Sequence, residues 1–364
     1  MIKSLIVLSL LVWPFGHLLD ISLGDTGLSL PLLDILVFLI FVASIPLFIK
    51  KRKRLVKDIL FKPIAFFLLF ASLSLVLRFP FITINQLLRP LLYLMRLIVY
   101  ISFYFSLQLV PIKSIFTYLK ISLSVFITLG LLQYLFKPDM SFLKYLGYDD
   151  HYFRLIGSLF DPNFTGAILS AVSIYLISRG SFVMGLLTLI PLGFTFSRAS
   201  YLSFIIPLII NVLSQKKVAV LLLPALLVLS VAIAPKPFGE GVNLLRTFSI
   251  SSRVDSMQQG LDLFIQRPVF GWGFNTLVTG DGRVGIDNSF IFILATTGIF
   301  GFASFIYLLG LSLGSSTYSV KLCLLSLLVH GLFNNTLFFP WIIYFWVFLL
   351  FMGKKESIKD YTSP

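Results

Sequence analysis

The chain has 364 residues, of which 58% are hydrophobic and 12% charged, and its mean hydropathy is +0.98. Ordinary soluble domains carry about 25% charged residues, so a water-soluble fold is excluded. The formal net charge of +14 points to anionic lipid head groups or an anionic substrate, and no soluble basic domain is present to hold a nucleic acid.

Apolar runs long enough to cross a hydrocarbon core of about 30 Å recur from end to end. The alternating pattern of a β-barrel is absent. The expected fold is an all-α polytopic membrane protein of about twelve transmembrane helices, forming one membrane domain over residues 1–364. The first run, 4–20, has a basic start and an apolar core but no small-residue cleavage site, and reads as a retained helix. Further spans are expected at 28–49, 61–78, 87–109, 113–136, 161–178, 181–196, 199–214, 217–235, 288–312, 318–336 and 338–352. The single cysteine, Cys323, lies inside one of these runs, so there is no disulfide framework.

The run KKRKR at 50–54 belongs on the cytoplasmic side by the positive-inside rule. Threading from there puts SRG (178–180), QKK (215–217) and the tail GKKESIKD on that side, with both termini. The outer side then receives the loops 137–160 and 236–287 and the short turn SRAS at 197–200. Basic residues on the cytoplasmic side are mostly lysine (Lys50, Lys51, Lys53, Lys113, Lys216, Lys217, Lys354). Those on the outer side are mostly arginine: Arg78, Arg154, Arg198, Arg246, Arg253, Arg267 and Arg283. Arginine offers a planar fork of donors that holds phosphate bidentately. The outer set therefore points to a bound phosphate, although any single member could pair with a lipid phosphate or a local acid. Arg89 and Arg96 lie seven residues apart on nearly one face of the fourth span, and are candidates to line a polar cavity for a lipid-linked head group. Snorkelling is the alternative, plausible for Arg89 near the outer end and poor for Arg96.

The second outer loop contains SSRVDSMQQGLDLFIQRPVFGWGF (251–274). Val254, Met257, Leu261, Phe264 and Ile265 share one helical face, which predicts an amphipathic helix at about 253–266 on the membrane surface. Ser252 and Asp255 give it a capping-box-like start, Pro268 a stop, and GWG at 271–273 a tight turn. Arg253 and Arg267 then stand about 21 Å apart along the helix, too far to hold one phosphate group together. Arg253 falls in the expected first turn, where free N–H groups already favour an anion, and Arg267 reads as structural.

Three ordered stretches, FRLIGSLFDPNFTGAILS (153–170), FTFSRASYLSF (194–204) and SRVDSMQQGLDLFIQRPVFGWGF with DNSFIFILATTGIFG (252–274 and 287–301), resemble the O-antigen ligase / O-antigen polymerase superfamily. The first half of the chain shares only hydropathy with that family. The resemblance implies a multi-helix lipid-phosphosugar (GT-C-like) glycosyltransferase at the outer face of the cytoplasmic membrane. Its partners would be an undecaprenyl-pyrophosphate-linked oligosaccharide and an acceptor glycan, with no metal or other cofactor. By position it makes Arg198 and Arg253 the pyrophosphate-binding arginines, and Arg154 and Asn163 a further recurrent element. Ligases place a histidine directly before the Asn at the start of the next helix. Here Asp287 precedes Asn288, a departure that favours a polymerase over a ligase and leaves both open.

In such chemistry an acceptor hydroxyl displaces lipid pyrophosphate, and fixed cations stabilise the charge on the leaving group. Asp287 is the candidate base for the hydroxyl proton, and equally reads as a helix N-cap. Asp149, Asp150 and His151 read as a solvated loop rather than a metal site. Asp20 and Asp25 resemble the metal-binding acids of other lipid-phosphosugar enzymes, with nothing around them in support. His17 and His330 read as packed, hydrogen-bonded residues. A polysaccharide or lipid transporter is the alternative from another class. It is disfavoured by charge at the outer interface and by the lack of a repeat, while Arg96 speaks for it.

Overall fold

The computed structural model describes residues 1–22, 29–112, 114–215, 222–235, 240–279 and 282–362. Asp25, Lys113, Lys216 and Lys217 lie outside the described residues. Fourteen α-helices are described: α1 (Ile2–Val12), α2 (Leu32–Lys50), α3 (Arg52–Val56), α4 (Phe61–Arg78), α5 (Ile84–Leu109), α6 (Ile115–Phe136), α7 (Pro162–Ser178), α8 (Phe182–Phe194), α9 (Arg198–Gln215), α10 (Leu222–Ile233), α11 (Phe248–Gln266), α12 (Ser289–Gly314), α13 (Tyr318–Gly331) and α14 (Pro340–Thr362). Each expected span overlaps a described helix, that at 217–235 only from Leu222. Among the described residues six segments are long and apolar enough to cross a membrane, beginning at Ile2, Leu32, Phe61, Gln86, Ile115 and Ser289, and five shorter apolar helices accompany them. The short ones include α7 and α8, whose residues include many Gly, Ser and Thr.

The chain divides into two compact units that interleave along the sequence. The first comprises Met1–Val37, Pro111–Thr247 and Tyr318–His330, the second Phe38–Val110, Phe248–Thr317 and Gly331–Pro364.

In the first unit α7 is buried on nearly every side and packs on α8 and α9. Small residues permit this: a Cβ on Gly166 would collide with the Ser200 hydroxyl. Buried hydroxyls then join the helices. Ser173 Oγ lies 2.6 Å from Thr188 Oγ1, and Ser170 Oγ lies 2.8 Å from Ser203 Oγ and 3.1 Å from Ser326 Oγ. Between apolar helices in lipid, close packing and such hydrogen bonds replace the hydrophobic driving force.

In the second unit α4 lies along α12 and α5 along α14, with aromatic pairs such as Phe67 with Phe305 (5.1 Å between centroids) and Phe103 with Tyr344 (5.1 Å). The helix α12 is broken at Gly298, where φ is 66° and ψ −167°. A left-handed residue frees the carbonyls of the preceding turn, and the GWG segment takes them up. Trp272 N donates to Ala295 O at 3.0 Å, Gly273 N to Thr296 O at 2.9 Å, and Ile299 N to Pro268 O at 2.9 Å. Gly271 and Gly273 both have positive φ, and a Cβ on Gly271 or Gly298 would strike the facing backbone. The GWG turn and the TTG kink are thus one interlocked feature.

Candidate active site

In the first unit the corner between α8 and α9 gathers the expected residues. Ser197 caps α9: its hydroxyl accepts from Ser200 N at 3.4 Å and donates to Asn163 Oδ1 at 2.9 Å. The SRAS stretch is therefore the first turn of α9 rather than a loop, because serine caps well and arginine and alanine propagate a helix. Arg198 stands at the helix start, where unsatisfied N–H groups and the dipole favour an anion. Its guanidinium donates to Leu244 O at 3.1 Å and Arg246 O at 2.9 Å.

Two more arginines brace this corner. Arg154 is 6% exposed and donates from Nε to Thr195 O at 2.9 Å and from NH2 to Phe196 O at 3.5 Å. Arg246 reaches Phe196 O at 3.2 Å and Gly241 O at 2.7 Å. Phe196 holds a positive φ of 49°, a conformation sustained only where surroundings over-determine it. The two side chains supply that restraint and satisfy carbonyls that the end of α8 leaves orphaned. Arg154, expected to touch substrate, holds the corner through these two carbonyls. Arg246 was counted among the outer arginines but given no role, since nothing local in the sequence ties it to a residue fifty positions earlier.

Asn163 follows Asp161, whose carboxylate caps α7 by accepting from Asn163 N (2.6 Å) and Phe164 N (3.1 Å). His330 is fully buried, with Nε2 3.2 Å from Ser200 Oγ. His17 Nδ1 lies 2.8 Å from Asp20 Oδ2, and the Tyr148 hydroxyl donates to the same oxygen at 3.2 Å. Asp149 and Asp150 are exposed, whereas His151 is buried rather than solvated. Burial, with Arg154 nearby, pushes the His151 pKa down to about 3, so its ring is neutral. Among the described residues no group of three His, Cys, Asp or Glu is placed to hold a metal ion.

In the second unit Arg253 lies on α11. This helix begins at Phe248, not at 253, and Ile250 extends the apolar stripe one turn toward its start. Arg253 is therefore past the first turn, and free N–H groups do not assist it, which corrects the expectation. The stripe Ile250, Val254, Met257, Leu261 and Ile265 is exposed, Asp255, Gln258 and Asp262 form a polar face, and Ser256, Gly260 and Leu263 are buried where α11 packs on α12.

Arg253 donates from NH2 to Asn334 Oδ1 at 3.2 Å, and its charge acts on Asp287. Asn288, not Asp287, caps α12: its Oδ1 accepts from Phe290 N (2.8 Å) and Ile291 N (3.1 Å), while Nδ2 donates to Leu332 O at 2.8 Å. Asn288 is thereby committed to structure. The Asp287 carboxylate is relieved of capping, and its backbone N donates to Ser256 Oγ at 3.0 Å. Burial raises the Asp287 pKa and Arg253 partly offsets that rise, a suitable setting for a base that works near neutral pH.

Arg89 is exposed on α5, and Arg96 is half-buried with its guanidinium 5.1 Å from the Tyr93 ring. The side chain of Arg283 is outside the described residues.

No curated protein matches the chain. Residues 181–306, which contain Arg198, Arg253, Asp287 and Asn288 but not Arg154 or Asn163, match the family model described as O-antigen ligase. Over that segment the chain is similar to the O-antigen ligase / O-antigen polymerase superfamily of membrane enzymes.

Proposed function

We propose that the protein is a membrane glycosyltransferase that moves a glycan from undecaprenyl pyrophosphate to an acceptor sugar hydroxyl at the outer face of the cytoplasmic membrane, as a polymerase of surface-polysaccharide repeat units. The observation that carries this reading is the family match over 181–306, which contains both arginines singled out as pyrophosphate ligands.

In the reaction the acceptor oxygen forms a bond to the anomeric carbon as the bond to pyrophosphate breaks. The hydroxyl proton passes to Asp287, whose carboxylate is not used as a cap. Negative charge builds on the departing pyrophosphate, and fixed cations stabilise it, the role that the family resemblance implies for Arg198 and for Arg253. Arg154, Arg246 and Asn163 hold the α8–α9 corner that aims Arg198. Arg89 and Arg96 contribute to head-group binding in this reading, on the strength of their charge and depth. Both termini lie on the cytoplasmic side, with the KKRKR run.

A ligase is the second reading, favoured by the description of the matching family, while Asp287 in place of the ligase histidine speaks for the polymerase. Gel banding of surface polysaccharide in a deletion strain tests both. Single-repeat products establish the polymerase, and long unlinked chains on the carrier establish the ligase. An unchanged banding pattern would sink the enzyme reading.

A further inference from the structure

A second set of positive charges, within the second unit and apart from Arg253, has no role in the transfer reaction. Arg78 ends α4 and Arg267 follows α11, and both guanidiniums rest on the same indole: their carbons lie 4.8 Å and 4.5 Å from the Trp272 ring centroid. Both also approach the Phe81 ring, at 5.9 Å and 5.6 Å. Two like charges against one ring repel each other, strongly so where water is sparse. Among the described residues neither has a carboxylate partner, and Arg78 Nε is buried without a hydrogen-bond acceptor. The charges converge on a cavity of about 240 Å³ lined by Ser74, Leu77, Arg78, Arg267, Val269 and Gly271.

The fold builds this arrangement in. Trp272 Nε1 donates to Leu263 O at 2.8 Å, one of the carbonyls that the end of α11 leaves open. The backbone of Trp272 and Gly273 is fixed to the α12 kink. A Cβ on Gly273 would lie 2.8 Å from Arg78 Cβ, so glycine there admits the arginine. Stacking on aromatic faces leaves the edge of a guanidinium, where its donors point, open for an oxyanion. The cavity is smaller than the roughly 300–1,000 Å³ of sites that enclose drug-sized molecules, a size for a head group and not for an oligosaccharide. Next to it Leu77, Phe79 and Phe81 are 46%, 57% and 65% exposed, an apolar apron at the end of a membrane-length helix.

We propose that Arg78 and Arg267, mounted on Trp272, form a lipid-phosphate site that grips the phosphate ester of an anionic membrane lipid while its chains lie on the Leu77–Phe81 apron. The site is independent of Arg198 and Arg253, and stands or falls apart from the transfer reaction.

The test uses the full chain in a neutral detergent, titrated by calorimetry with short-chain phosphatidylglycerol and, separately, with inorganic phosphate. Saturable lipid binding is expected, weakened tenfold or more by Arg78→Gln and by Arg267→Gln, because a charge-assisted hydrogen bond contributes that much. Arg267→Lys, which keeps the charge without the fork, is expected to bind at an intermediate level. Equal binding by wild type and both Gln variants would overturn the site. Inorganic phosphate binding as tightly as the lipid would overturn the lipid as its ligand. Should the variants unfold, quenching of tryptophan emission by brominated phosphatidylglycerol decides. Quenching lost in Trp272→Phe supports the site, and identical quenching in both proteins refutes it.

Discussion

The α8–α9 corner and the α11–α12 segment use arginine in opposite ways. At the corner Arg154, Arg198 and Arg246 donate to carbonyl oxygens of Thr195, Phe196, Gly241, Leu244 and Arg246. They act as struts that hold an unfavourable backbone turn. Along α11 and the turn after it, the guanidiniums meet side chains: Arg253 the Asn334 amide and the Asp287 field, Arg267 and Arg78 an indole face. A backbone carbonyl cannot leave, whereas a side-chain amide or a ring edge can yield donors to an incoming anion. The same residue type thus builds the shape in one region and meets side chains in the other, and Arg198, at a helix start, belongs to the first by its hydrogen bonds.

This contrast can be broken or sharpened experimentally. The largest effect is expected at Arg253. Arg253→Ala should lower chain elongation by about 10³-fold or more, the range found where an arginine neutralises a leaving phosphate. The protein should remain in the membrane, as immunoblots of membrane fractions will check. Asp287→Asn comes next, with a loss of roughly 10²-fold. A base must be unprotonated, and burial raises the pKa of Asp287. Wild-type activity should therefore rise with pH along an acid limb above the ordinary carboxylate range, and the residual activity of the Asn variant should lack that limb.

Struts should behave otherwise. Arg154→Ala leaves the Thr195 and Phe196 carbonyls without their buried donor, and thermal unfolding in detergent should report a loss of about 2 kcal/mol. A pH-dependent effect is expected at His151, whose ring is held neutral with a folded pKa of about 3 against an ordinary 6.5. The unfolded chain takes up a proton that the folded one refuses, so stability should fall as pH drops below about 6.5 and level off near 3. The slope, about 1 kcal/mol per pH unit, should vanish in His151→Gln.

The helices were legible from the sequence because long apolar runs admit little else in a bilayer, and Asn163 and Ser197, from two ordered motifs, are joined by a hydrogen bond at the α8–α9 corner. The break in α12 was not, since Gly298 interrupts an unbroken apolar run and its carbonyls find partners only in the distant GWG turn. The start of α11 was misplaced because Ser252 and Asp255 imitate a cap, while the helix begins at Phe248 and its apolar stripe at Ile250. As struts Arg154 and Arg246 were not legible: Arg246 was visible only as charge, and Arg154 as charge and as part of a motif. A guanidinium that satisfies carbonyls forty or fifty residues away leaves no local pattern.

The most direct test of the central claim follows lipid pyrophosphate release from purified protein reconstituted with pyrophosphate-linked repeat units, comparing wild type with Arg253→Ala and Arg198→Ala. Release that keeps pace with glycan transfer in the wild type, and falls to background in both variants, is the expected result. Release at the wild-type rate from either variant would contradict it.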